Sequence, residues 1–115
     1  MADSARDTAL IDAVLKMDRS IRYVALLSEG LGIVAQRMQD GTATYSPEFI
    51  DEVVVPIIAG MMKRLTEYAG EFELARMDYS KVSLILKRAH GGYLVISAEP
   101  SLDLDPICEK LSRLA

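Results

Sequence analysis

The 115 residues carry 13 Lys and Arg against 17 Asp and Glu, a formal net charge of −4, and 50% are hydrophobic, which suits one domain around a single core and is too apolar for a disordered chain. The acidic balance offers no attractive field to phosphate backbones or anionic lipid, so neither nucleic acid nor a membrane surface is an expected partner. One cysteine excludes an internal disulfide, the opening MADSARDTAL lacks the basic start and apolar run of a secretory signal, and the longest apolar run, Val53 to Met62, is half of the ~20 residues that span a bilayer; a soluble, cytoplasmic protein is expected.

Ser4 reads as the cap of a first helix with Asp7 in its opening turn, and Leu10, Ala13, Val14 and Met17 recur at helical spacing. Ile21 to Ser28 is rich in β-branched and aromatic residues, Glu29-Gly30-Leu31 turns, and Gly32 to Met38 reads as a return strand, giving a β-hairpin. Gln39-Asp40-Gly41 breaks the pattern and opens a polar connection to Ser46.

Ser46 as N-cap, Pro47 at the first helical position and Glu48 in the first turn start a second helix, and Gly70 stops it. That helix spans about 23 residues, or roughly 35 Å. On a wheel, Ile50, Val53, Val54, Val55, Ile57, Ile58, Met61, Met62 and Leu65 sweep roughly 200°, about twice the stripe of a one-sided helix. Asp51 and Arg64 interrupt the arc near its ends. A helix so apolar is buried on more sides than a monomer of this size covers, which points to self-association. Pro56 removes a backbone donor in mid-helix and is expected to bend the helix or split it.

After Gly70, Phe72, Leu74 and Arg76 alternate with Glu71, Glu73 and Ala75, the period of a half-exposed strand. Val82 to Arg88 and Tyr93 to Ala98 are two further strands, joined by Ala89-His90-Gly91-Gly92, whose glycines are expected to supply positive φ. Asp105 caps and Pro106 opens a closing helix with Ile107, Cys108, Leu111 and Leu114 facing inward. The order αββαβββα predicts an α+β fold, a five-stranded antiparallel sheet with helices covering one face, as a single domain over 1–115.

This order resembles the roadblock/dynein light chain superfamily and its profilin-like and longin-like relatives. The local likeness lies in Ile21-Arg22-Tyr23-Val24-Ala25-Leu26-Leu27-Ser28-Glu29-Gly30-Leu31-Gly32-Ile33-Val34-Ala35, where an apolar strand, an acidic-Gly turn and a second apolar strand follow one another. The same segment, entered through Asp18-Arg19-Ser20-Ile21, with Lys81-Val82-Ser83-Leu84 and Tyr93-Leu94-Val95-Ile96-Ser97, is also similar to a group of small archaeal domains. The superfamily implies regulatory or scaffolding work: homodimers formed through the central helix and the strand after it, here Pro47 to Ala69 and Phe72 to Asp78, as a platform for small GTPases or signalling partners. On these elements the dimer or partner interface is expected at Val53, Val54, Ile57, Ile58, Met61, Met62, Leu65, Phe72 and Leu74. Pro56, behind three valines, departs from the straight helix that such a dimer implies.

Catalytic, cofactor and metal residues are not expected. His90, alone beside two glycines, lacks the partners that acid-base or metal chemistry needs and reads as an exposed turn residue. Cys108 lies on the apolar side of the last helix and reads as a small core hydrophobe. Leu102-Asp103-Leu104-Asp105-Pro106 spaces two carboxylates like the start of a calcium loop, but no further ligands follow, so capping accounts for it. Gly30-Leu31-Gly32 precedes a strand, whereas phosphate-binding glycines feed a helix N-terminus. Met61 and Met62 suit an adaptable surface as well as plain packing, and Glu71/Glu73 and Asp51/Glu52 read as solvated faces. The reading is a non-enzymatic homodimeric adaptor or regulator. The alternative is a small-ligand sensory domain of PAS or longin-like type, holding its ligand between the central helix and a sheet bearing Tyr23 and Tyr93, with Pro56 and Gly60 loosening the wall.

Overall fold

The computed structural model describes residues 2–39, 50–89, 91–99 and 104–113. In chain order these form α1 (Ala2–Leu15), β1 (Ile21–Leu27), β2 (Ile33–Met38), a helical stretch over 50–69 called α2, β3 (Leu74–Asp78), β4 (Ser83–Ala89), β5 (Gly92–Ala98) and α3 (Asp105–Ser112). The predicted αββαβββα order stands. Two compact units result, Met1–Thr42 with Leu74–Ala115, and Ala43–Glu73.

The first unit is built on a five-stranded sheet in the order β2-β1-β5-β4-β3, every neighbouring pair antiparallel. Period-two alternation sends Val24 and Leu26 of β1, Ile85 of β4 and Leu94 and Ile96 of β5 to one face, where they form a core with Ile11 and Val14 of α1 and with Leu104, Ile107 and Leu111 at α3. Fully burying each such aliphatic side chain contributes about 1.5–3 kcal/mol. On the other face Leu84, Leu86, Tyr93 and Val95 are buried too, and β5 is buried at every residue.

Several boundaries differ from the sequence pattern. α1 begins at Ala2, so Ser4 is inside the helix and not its cap. The chain leaves α1 through a turn in which Asp18 Oδ1 accepts the Ser20 backbone N–H at 2.9 Å, and this bond holds the Asp18 carboxyl below its ordinary pKa. Asp105 is not the cap of α3 either: Leu104 is, without a side-chain bond. The Asp105 carboxylate instead meets Arg76 Nη1 at 3.1 Å, because Asp78 already holds the Arg76 guanidinium at the end of β3. The expected features at Asp40-Gly41, Ser46-Pro47-Glu48, His90, Leu102-Asp103 and Leu114 lie outside the described residues.

The hairpin turn is tighter than a glycine pattern suggests. Leu31 N–H donates to Ser28 O at 2.8 Å, Ser28 N–H to Gly32 O at 2.8 Å, and Gly32 N–H to Ser28 Oγ at 3.2 Å. The left-handed position falls on Leu31, φ 72°, between two glycines that do not take it. Past the turn Val34 is an unpaired bulge, since Leu26 faces Ala35 and Leu27 faces Ile33. In the second hairpin Gly91 takes φ 74° as expected, whereas Gly92 opens β5 and serves a different need: a Cβ there would lie 1.9 Å from the Leu27 carbonyl oxygen of β1.

Candidate functional site

α2 is not a continuous α-helix. Ile50–Val54 and Ile58–Met62 follow the wider i→i+5 pattern, with α-helical Val55–Ile57 between them and α-helical Lys63–Ala69 after them. The first wide stretch ends just before Pro56, whose ring crowds the preceding turn and which has no N–H to donate; the expected interruption is therefore present, as a change of hydrogen-bond step. Gly70, at φ 87°, terminates the helix, with its N–H on Thr66 O at 3.1 Å.

The candidate interface residues separate by exposure. Val54 and Ile58 are buried. Ile57, Met62 and Phe72 are half-buried. Val53 is 42% exposed, Met61 61% and Leu65 55%, and Tyr68, not among the predicted residues, is 88% exposed. Tyr68 follows Leu65 by three residues and Met61 by seven, so helical spacing places it on their line. Gly60, Met61, Arg64, Leu65 and Tyr68 line one shallow, open, largely apolar groove. Of Lys63–Ala69, no residue is buried. Phe72 lies before β3 and not in it, and Leu74, half-buried at the start of β3, belongs to the sheet unit, where it faces Lys87 of β4. β3 is an edge strand of that sheet.

Elsewhere several polar groups hold the fold, while Ser20 Oγ and Ser97 Oγ are buried without a hydrogen-bond partner. Arg76 bonds Asp78 through Nε at 3.1 Å, and Ser83 Oγ donates to the same carboxylate at 2.6 Å; these two partners depress the Asp78 pKa, Ser83 more than Arg76. Arg22, the bulged residue of β1, reaches Glu99 Oε1 at 2.6 Å. Cys108 packs half-buried against the core, and burial raises its thiol pKa despite the nearby Arg76, which opposes the reactive thiolate form. Tyr23, pushed up to about 12 by burial, donates its hydroxyl to Gln36 Oε1 at 2.7 Å. Tyr93 lies under the Arg88 guanidinium, 5.8 Å from the ring centroid. Two open clefts of about 410 and 350 Å³ flank α1, and neither is lined by Tyr23 or Tyr93. Among the described residues no group of three or more His, Cys, Asp or Glu is placed to hold a metal ion, and no helix is long and apolar enough to cross a membrane.

No family model and no curated protein matches the sequence. Solved structures match in fold. The gliding protein MglB from Thermus thermophilus superposes with a TM-score of 0.75 at 16% identity, over 98% of this chain and 87% of that one. A structure of MglB with tetrameric arrangement gives 0.75 at 13%, over the same shares, 98% and 87%. A Roadblock/LC7 domain from Streptomyces avermitilis gives 0.65 at 13%, over 90% and 87%. The chain has the roadblock/LC7 fold that its hairpin and element order resemble.

Proposed function

We propose that residues 1–115 form one roadblock-like domain acting as a non-catalytic adaptor or regulator, homodimeric through α2. The observation that carries this reading is the stripe of Met61, Leu65 and Tyr68, exposed on a helix end in which no residue of Lys63–Ala69 is buried. This end of α2 buries none of its residues within the chain, and a contiguous apolar stripe is what a second protein surface covers. A second copy is the occupant proposed, in keeping with the tetrameric arrangement of a fold neighbour.

Sedimentation of the purified protein over a concentration series, beside Leu65→Glu, tests this. The wild type is expected to dimerise, and a charge placed in the stripe, at a residue already 55% exposed, should leave a folded monomer; unchanged mass in a folded Leu65→Glu protein sinks the interface. A small GTPase as the further partner follows from the likeness of fold alone. It is tested by retention of GTPases from the native cell extract, and their absence from the retained fraction counts against it.

A further inference from the structure

β2 is one edge of the sheet, and its bonds to β1 determine which of its backbone groups are left outside. Gln39 N–H donates to Arg22 O at 2.8 Å, and Arg37 and Ala35 face Val24 and Leu26. Antiparallel strands bond through alternate residues. Ala35, Arg37 and Gln39 therefore direct their N–H and C=O groups to β1, and those of Gln36 and Met38 point away from it. Among the described residues no strand or turn pairs with this outer row. From Ala35 to Met38 the edge carries neither proline nor lysine, residues that commonly blunt an edge, and the bulge at Val34 interrupts only its start.

Beside the end of this edge, α1 and the turn after it form an open cleft of about 350 Å³ with β2, whose lining includes Asp12, Lys16, Asp18, Arg19, Arg37 and Met38. Its carboxylates are engaged: Asp12 Oδ1 meets Arg37 Nη1 at 3.1 Å, and Asp18 Oδ1 accepts the Ser20 backbone N–H at 2.9 Å. Its two other cations are not. Lys16 and Arg19 are exposed, and among the described residues neither is paired with a carboxylate. The carbonyls that end α1 favour cations nearby, but these dipoles do not neutralise them. The opposite edge offers no equivalent, because Arg76 of β3 is held by Asp78 and Asp105.

We propose that the outer edge of β2 and this cleft form one docking strip for an extended acidic segment of a partner protein. The segment lies against β2 as an added strand. Its residues opposite Gln36 and Met38 exchange backbone bonds with them, and its residue opposite Arg37 shares the face on which Arg37 meets Asp12 of α1. Acidic side chains at such alternate positions reach Lys16 and Arg19, so that main-chain bonds supply affinity and charge selects the sequence. None of these residues belongs to α2, and the strip stands or falls independently of the α2 contact.

Fluorescence anisotropy on the wild-type protein tests this with a labelled peptide of alternating Glu and Val, roughly the length of β2. Two peptides of equal length accompany it: alternating Lys and Val, which reverses the charge, and alternating Glu and Pro, which keeps the charge but lacks the N–H groups that would pair with β2. The Glu/Val peptide is expected to bind, less tightly as salt rises, and the other two at least tenfold more weakly. Lys16→Glu with Arg19→Glu, at two exposed positions, should leave the fold intact and weaken Glu/Val binding roughly tenfold, as two exposed ion pairs are replaced by like-charge contacts. Hydrogen exchange of the Gln36 and Met38 amides should slow in the complex. No binding of the Glu/Val peptide, equal binding of the Glu/Pro peptide, undiminished binding by the double variant, or unchanged exchange at Gln36 and Met38 would each overturn the proposal. Leu65→Glu, altered at the α2 stripe, is expected to bind the peptide as wild type does; loss of binding there would place the peptide on α2 and overturn the strip.

Discussion

Replacing Gly92 by alanine tests the closest backbone approach in the sheet. Gly92 faces Ala89 of β4, while the next residue, Tyr93, faces Leu27 of β1, so the strand enters between two neighbours at once. The alanine Cβ would sit 1.9 Å from Leu27 O and 3.0 Å from Leu27 C. Both are backbone atoms of a strand buried along nearly its whole length, so no flexible side chain can yield, and β1 and β5 must part by about 1 Å to restore a contact of 3.0 Å. Forced overpacking of a core costs about 1–3 kcal/mol, and more when main chain must move. About 3 kcal/mol is expected here, which for a domain near this size lowers Tm by roughly 12–24 °C. Gly91→Ala is the internal control. Its site is open, so only the cost of a side chain at φ 74° remains, about 1–2 kcal/mol. Urea and thermal unfolding followed by circular dichroism should rank Gly92→Ala well below Gly91→Ala. Equal losses, or a milder effect at Gly92, would refute the close approach of β1 and β5.

Leu31 holds φ 72° with a side chain that disfavours it, so Leu31→Gly should raise stability by up to about 1 kcal/mol, the strain of about 1–2 kcal/mol less the greater entropy of an unfolded glycine; a drop in Tm would refute it. Tyr23, raised to about 12 from an ordinary 10.0, contributes stability that is complete below pH 10 and is lost as pH rises from 10 towards 12, because the unfolded chain ionises first. Tyr23→Phe should remove that part of the alkaline loss while costing about 1 kcal/mol near pH 7 through the bond to Gln36, and an unchanged alkaline profile would refute the assignment. Asp18 and Asp78 are both lowered from 3.8, so their contribution is present above that value and lost as pH falls below it. Asp78→Asn should flatten the acid limb of the stability-pH curve, and a wild-type limb in that variant would exclude Asp78 as a source.

The parts of the fold legible in the sequence are those decided by neighbours along the chain. The β-branched and aromatic residues from Ile21 to Ser28, followed by the turn at Glu29-Gly30-Leu31, gave away the first hairpin, and Gly70 marked the end of α2 because only a residue tolerant of φ 87° ends it that way. What local pattern does not carry is which strand lies beside which. Gly92 was expected to serve the turn because nothing near it in sequence announces β1, 65 or more residues away, as its neighbour. Asp105 was expected to cap α3 because its competing partner, Arg76, comes from a strand 29 residues earlier. The alternation that marks one covered face is likewise overridden in β5, where consecutive apolar residues from Tyr93 to Ile96 are all buried.

The apolar arc of α2 shows the same limit in sharper form. Nine residues of the apolar arc were assigned by a wheel that assumes one hydrogen-bond step throughout, and a wheel of that kind merges side chains that the backbone separates. Pro56 announces an interruption because its chemistry forbids one bond, but an i→i+5 turn such as Ile58–Met62 uses the same residue types as the α-helix around it and leaves no compositional mark. Yet its effect on the surface is larger than that of most substitutions, since one residue of phase moves every later side chain by about 100°. Val54 and Ile58 are buried while Met61 and Leu65 stand exposed, although all four have the same apolar character and α-helical spacing.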